Sequence, residues 1–423
     1  MTWTDRRGRP HEERRPAPHV DEPRMLRVVG PFEQAWALAE DGAQEDDGRG
    51  ERARLARDVL ARPNPITTPD PDDPDLALWT WVVEDAEARS IALWTNAVFD
   101  HDDVANAEFR HLEGSALWTI CLRLPAALRT SYRIAVWRED GPPPWRTAVG
   151  RRAVILAAMG AAVADERCHD AVRGSRGELS SVGAGPGAPA DPVRPHRRHD
   201  PRSRLDELAL PAGERAWVYT PPQTADTLGT TPLLVLFDGQ VWRGMGIRGM
   251  LDAAIADGTI PPLHVALLDS GSQEHRWQTL GVPGAQVDVV LDGLLPAVRA
   301  GWNVDARGEA TSVSGQSLGG IAALWTLALG EGEIAHAIAQ SPSLWRFDIA
   351  EALIAEPGWR TIELQAGAFE RDMLADAEAL ESALRADPRI GRRTVHTVAA
   401  QAGHDWAVWR TGLMTALATT GEV

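Results

Sequence analysis

The spacing of hydrophobic and polar positions changes three times along this chain, and each change marks a change of structure. Residues 26–60 carry apolar side chains at helical spacing, as in Phe32-Glu33-Gln34-Ala35-Trp36-Ala37-Leu38. Within them, 42–53 reads as a solvated loop or a frayed helix end. From residue 76 the period shortens. Leu76–Val83, Ser90–Val98, Trp118–Leu124 and Ser131–Val136 are short runs between turn residues, and together they predict a β-sandwich. Residues 172–204, rich in Gly, Pro, Ser and Arg, read as a linker, and the charged, proline-rich residues 1–25 as a disordered N-terminus.

After residue 205 strands and helices alternate. The run Leu233-Leu234-Val235-Leu236-Phe237 suits a central strand buried on both faces. Further strands are expected at 263–268, 310–314, 335–339, 361–366 and 394–399. Helices are expected at 246–256, 286–300, 317–330, 374–386 and 406–418. This is a doubly wound α/β pattern with a mostly parallel sheet. The expected domains are 26–171, with helices flanking the sandwich, and 205–423. A chain of 423 residues has room for both.

Composition narrows the partners. Net charge is −17, which disfavours nucleic acid and anionic membranes. The chain has no lysine, so any site for an anion must use arginine. Cys121 and Cys168 are the two cysteines and form no ligand cluster; neither a disulfide framework nor a metal site is expected. No run of about eighteen apolar residues occurs, and the first twenty residues lack the apolar stretch of a secretory signal. A cytoplasmic protein is expected. Oligomeric state is left open.

Candidate chemistry sits in the second domain. Gly315-Gln316-Ser317-Leu318-Gly319 matches G-x-S-x-G, with a strand before it and a helix directly after. That context is the nucleophile elbow of α/β-hydrolases, in which a sharp turn lifts the serine hydroxyl above the sheet. Ser317 is therefore the candidate nucleophile. In that fold the chain order is Ser, acid, His. The segment after the last strand supplies His404, preceded by Gly403, as the general base. His336 and His396 fall in expected strands and read as packing residues; His196 and His199 fall in the linker. The segment after strand 361–366 offers two carboxylates, Glu370 first and Asp372 second, while Asp376 reads as a solvated helix residue. The oxyanion hole is expected from the N–H of Leu318 and one from the loop after strand 233–237, at Gly239 or Gln240.

The second domain resembles the enterochelin esterases. The matching residues are Leu236-Phe237-Asp238-Gly239-Gln240-x-Trp242, the Asp269…Arg276 loop, Leu294-Leu295-Pro296, Ser314–Gly320, Ser341-Pro342-Ser343-Leu344-Trp345 and Gly403-His404-Asp405-x-x-x-Trp409-Arg410-x-x-Leu413. Trp94-Thr95-Asn96 with Asp100, Leu112-Glu113-Gly114-Ser115-x-x-Trp118 and Arg129-Thr130-Ser131-Tyr132 are similar to that family's immunoglobulin-like N-terminal domain. Four positions depart from the pattern. Thr279-Leu280 and Pro283 stand where the family has Glu-Leu and Asn. Arg346 replaces a second Trp, and Ala402 a Gly.

The resemblance implies hydrolysis of the serine esters of ferric catecholate siderophores, such as enterobactin, in the cytoplasm. No cofactor is implied, and iron is part of the substrate. Arg276, with Arg243 or Arg346, would face the anionic catecholates. Trp242 and Trp345 would either stack on the rings or belong to the core. The rival readings are a general carboxylesterase or feruloyl-type esterase and, from another class, a non-catalytic carbohydrate-binding scaffold.

Overall fold

The computed structural model describes residues 1–14, 25–41, 48–192, 199–211, 213–222 and 229–420. The chain divides into two compact units. One comprises Met1–Val20, Asp191–Ala400 and Val408–Val423; the other comprises Asp21–Ala190 and Gln401–Ala407.

The larger unit is built on an eight-stranded sheet. Its order from edge to edge is Arg204–Ala209, Arg215–Thr220, His264–Leu268, Leu233–Leu236, Thr311–Gln316, His336–Gln340, Thr361–Gly367 and Thr394–Ala400. From His264–Leu268 onward neighbours run parallel; Arg215–Thr220 is antiparallel to both its neighbours. Leu233–Leu236 is buried throughout, as a strand covered on both faces requires. The helix Leu318–Leu329 is apolar all round, and all 12 of its residues are buried. The expected helix at 286–300 is interrupted by a π-helical turn at Val289–Leu294, just before Pro296. Proline has no N–H for the carbonyl four residues back and its ring crowds that carbonyl, so the ladder widens there.

The first residues also belong to this unit. Instead of the expected disorder, Thr2–Thr4 and Pro10–Glu12 form an antiparallel hairpin. Buried Asp5 organises its turn, accepting the N–H groups of Arg7 and Arg9 at 2.9 Å each. His11 sets its ring edge-on to Trp325, with centroids 4.7 Å apart. Arg7 reaches the buried Glu356 at 2.6 Å. The rest of the expected disordered segment, 15–24, lies outside the described residues.

The smaller unit carries two antiparallel sheets. One holds Leu26–Val28, Ile66–Pro69, Leu76–Glu84, Arg110–His111 and Leu117–Pro125; the other holds Ser90–Thr95, Arg129–Trp137, Ala162–Val163, Ala171–Arg173 and Leu179–Ala184. They pack through Trp81, whose ring meets Tyr132 edge-on at 5.6 Å, and through Trp79. The helices Pro31–Asp41 and Gly48–Leu60 add Trp36 and Val59 to a second cluster with Ile66, Val82 and Leu117.

Two strands of the second sheet fall inside the segment expected to be linker. Its small residues have a packing reason. A Cβ at Gly183 would lie 2.8 Å from the Trp79 ring, and one at Gly185 would lie 2.1 Å from the Ala126 carbonyl oxygen. A composition that reads as flexible is here the result of close approach. Residues 193–198, with His196, lie outside the described residues. Among the described residues no helix is long and apolar enough to cross a membrane.

Candidate active site

Strand Thr311–Gln316 ends and helix Leu318–Leu329 begins with a single residue between them. Ser317 takes φ 57° and ψ −115°, a left-handed-side conformation that an L-residue adopts at a cost of about 1–3 kcal/mol. Its neighbours make the turn possible. A Cβ at Gly315 would lie 2.3 Å from the Gly319 carbonyl oxygen, and one at Gly320 would lie 2.9 Å from that of Gln340. Backbone bonds then pin the residue. Ser317 N–H donates to Gln340 O at 2.9 Å, and Ser343 N–H donates to Ser317 O at 3.0 Å. The half-buried Ser317 hydroxyl lies 3.4 Å from that of Ser343.

A second helix begins beside this turn. Asp238, at φ 55° and ψ 37°, precedes the short helix Gly239–Gly244. Gly239 has no room for a side chain, because its Cβ would lie 2.5 Å from the Leu267 carbonyl carbon. The loop is braced twice by Ser270, whose hydroxyl accepts from Asp238 N–H at 3.1 Å and whose N–H donates to the Gln240 side chain at 3.0 Å. The opening N–H groups of both helices, Leu318 in one and Gly239 and Gln240 in the other, have no carbonyl within their own helix. Such groups suit a developing oxyanion.

Arg276, expected to face the substrate, holds the two turns together. Its guanidinium binds buried Asp238 with two bonds, 2.7 and 2.8 Å, and reaches Gln316 O at 3.3 Å. Burial alone would lower its pKa, but the Asp238 carboxylate outweighs burial and raises it above the ordinary value. The charge expected to read an anionic substrate is already matched by a carboxylate.

The two candidate acids differ sharply. Glu370, just past strand Thr361–Gly367, is fully buried. Its Oε2 accepts from Ser341 Oγ and from Gly367 N–H, each at 2.7 Å, and Ser341 Oγ in turn accepts from Trp409 Nε1 at 2.9 Å. Asp372 sits half-buried in the first turn of helix Arg371–Ala386, where a carboxylate favours the helix dipole. Nearby Asp376 is not simply solvated: burial, then the Asp372 charge, push its carboxyl up.

His404 lies on the segment Gln401–Ala407, which belongs to the smaller unit. There Asn96 Nδ2 donates to His404 O at 2.9 Å. The buried Asp405 carboxylate accepts Ser131 N–H at 2.6 Å and Ala407 N–H at 2.9 Å, while burial pushes its pKa up. A Cβ at Gly403 would lie 3.1 Å from Ala97 Cα, a tight approach that glycine relieves.

The other expected substrate contacts are redistributed. Trp242 is fully buried and is a core residue. Arg243 is exposed, with its guanidinium 4.9 Å from the Trp217 ring centroid. Arg346 is buried and bonded to Glu13 at 3.1 Å and to Leu280 O at 3.0 Å, so it is no free cation either. Trp345 is half-buried against Trp277, an aromatic neighbour that the sequence reading did not single out. Ser341 and Ser343 were legible only as part of a motif. Of the histidines read as packing, His336 bonds Thr361 Oγ1 at 2.7 Å, while His396 is exposed beside Glu363 at 3.4 Å.

Comparison with known proteins places this arrangement in a family. Residues 78–194 match the family described as "Enterochelin esterase, N-terminal", and residues 213–420 the family described as "Putative esterase". The chain belongs to the enterochelin esterase family. It is a carboxylic ester hydrolase. Among the relatives of this family member are an iron(III) enterobactin esterase of Escherichia coli O6:H1, 27% identical over 78% of this chain and 86% of that one. The iron(III) salmochelin esterase of the same organism is 27% identical, over 77% of this chain and 83% of its own length. A similar solved structure is the enterobactin esterase of Shigella flexneri determined in the presence of enterobactin. It has a TM-score of 0.71 and 23% identity, covering 85% of this chain and 96% of that one, and it shows the shared fold.

Proposed function

We propose that the chain is a serine esterase that hydrolyses the ester bonds of ferric catecholate siderophores and so releases iron in the cytoplasm. One observation carries the reading: a serine held at φ 57° between a strand and a helix, in a chain aligned over 78% of its length with an iron(III) enterobactin esterase. The sheet order, with its one strand antiparallel to both neighbours, supports an α/β-hydrolase. The smaller unit would be the immunoglobulin-like domain of the family.

In this proposal Ser317 Oγ attacks the ester carbonyl while His404 takes its proton. The N–H of Leu318 and that of Gly239 or Gln240 hold the oxyanion. His404 then protonates the leaving alcohol, and water clears the acyl-enzyme by the same steps in reverse roles. Buried Glu370 would fix the imidazole tautomer. Iron enters and leaves as part of substrate and product.

The test is chromatography of the products from ferric and iron-free catecholate trilactones incubated with wild type and Ser317→Ala. Wild type is expected to give dihydroxybenzoyl-serine fragments and the variant almost none. Turnover of feruloyl or p-nitrophenyl esters without cleavage of either trilactone would move the chain to the general esterases. Undiminished turnover by Ser317→Ala would remove Ser317 from the chemistry.

A further inference from the structure

All 17 tryptophans of the chain lie among the described residues, and one of them, Trp277, is exposed. Trp277 is 54% exposed, which leaves part of a large amphipathic ring available to a ligand. Trp277 sits on the short helix Gln273–Thr279, one residue after Arg276. Arg276 is bonded to Asp238 and to Gln316 O, the carbonyl directly before Ser317. The indole is therefore tethered to the nucleophile turn by a rigid, buried ion pair.

Its neighbours are tethered to the same turn from the other side. Trp345 follows two residues after Ser343, whose N–H donates to Ser317 O. The Trp277 and Trp345 rings lie with centroids 6.2 Å apart and planes 30° apart. The Arg346 guanidinium lies 5.5 Å from the Trp277 ring centroid, held there by Glu13 and Leu280 O. A cation over an indole offsets the negative potential of its π face. That matters for an electron-rich or anionic aryl ring, which a bare π face would repel.

We propose that Trp277, braced by Trp345 and Arg346, is a specificity-determining residue whose open indole stacks on an aryl ring of the ester substrate. The inference deepens the reading of the previous subsection and rests on it for the identity of the ring, a catechol. It also gives Arg346, which stands where the family has a second Trp, a role as a brace rather than a direct ligand.

The experiment compares kcat/KM for two iron-free linear esters with the same scissile bond, one bearing dihydroxybenzoyl-serine and one bearing acetyl-serine. Wild type, Trp277→Ala and Trp277→Phe are measured on both. One base–aromatic stack alters affinity by roughly tenfold. Trp277→Ala should therefore lower the aryl-to-acetyl preference about tenfold, mainly through KM, and Trp277→Phe should recover most of it. An unchanged preference in Trp277→Ala, or a loss that falls on kcat for both esters alike, overturns the inference while leaving siderophore hydrolysis standing. If wild type cleaves neither serine ester, the siderophore reading fails. The same three proteins are then compared on p-nitrophenyl 3-phenylpropanoate and p-nitrophenyl butanoate. A tenfold fall in aryl preference there upholds the aryl platform, and no fall overturns it.

Discussion

Buried charges decide more at this site than exposed ones do. Glu370 has one oxygen fixed by two donors and no exposed surface, whereas Asp372 is half-open on a helix. Glu370→Gln is expected to lower kcat by about 10²–10⁴-fold, the range for an acid that orients a catalytic histidine. Asp372→Asn should change it by less than about threefold; steady-state kinetics on a p-nitrophenyl ester reads both, and the opposite ranking would transfer the role. Arg276→Gln leaves a fully buried Asp238 carboxylate without its partner, a change that costs about 3–5 kcal/mol when a buried pair is broken. The loop carrying Gly239 and Gln240 should shift, so neutral and anionic esters should lose kcat together, without the strong salt dependence of a substrate-facing cation. A loss confined to anionic esters would restore Arg276 as a charge reader. None of these pairings has a local period. Asp238 and Arg276 are 38 positions apart, and Glu13 and Arg346 are 333 apart. A sequence displays which arginines exist, but not which carboxylate each one meets.

Elements were far more legible. The turn at Ser317 could be read because backbone crowding forces glycine at 315 and 320, and those glycines flank the serine just before a long apolar helix. The central strands could be read because burial on both faces leaves continuous apolar runs. Arg204–Ala209 and Arg215–Thr220 escaped because their pairing is antiparallel in a parallel context, and the first of them is charged at three of six positions. One strand start carries a titration that can be measured. His264 is buried, with Nδ1 2.5 Å from Thr231 Oγ1, and burial, then Arg204, push its pKa down to about 4. The unfolded chain takes up this proton near pH 6.5, while the folded chain does not until near pH 4. The group's contribution to stability is therefore complete above the unfolded value and falls as pH drops through that window. His264→Asn should show a smaller loss of melting temperature than wild type between pH 7.5 and pH 4.5. Equal losses would mean that His264 titrates normally.

At the scale of the whole molecule, the N-terminal hairpin is a structural part of the esterase unit. Deleting residues 2–14 would leave Arg346 and Glu356, both buried, without Glu13 and Arg7 and would open the edge of Trp325. Loss of two buried ion-pair partners is expected to lower unfolding stability by about 3 kcal/mol or more. Urea denaturation checks this, and a midpoint unchanged from wild type would show the hairpin to be passive.

The eight-stranded sheet has two unlike ends. Arg204–Ala209 closes one end with Arg204, Asp206 and Glu207, charges that discourage another chain from adding a strand. Thr394–Ala400 closes the other with the sequence TVHTVAA, which holds no permanent charge, and Val398 is 43% exposed. Self-association of partly unfolded chains should therefore start at one flank of the sheet and not at both. A lysine placed at Val398 would act as a gatekeeper in a protein that otherwise has none of that residue. Val398→Lys should scatter less light during refolding from urea, while Glu207→Val should scatter more. The same scattering from all three proteins would place the adhesive surface elsewhere.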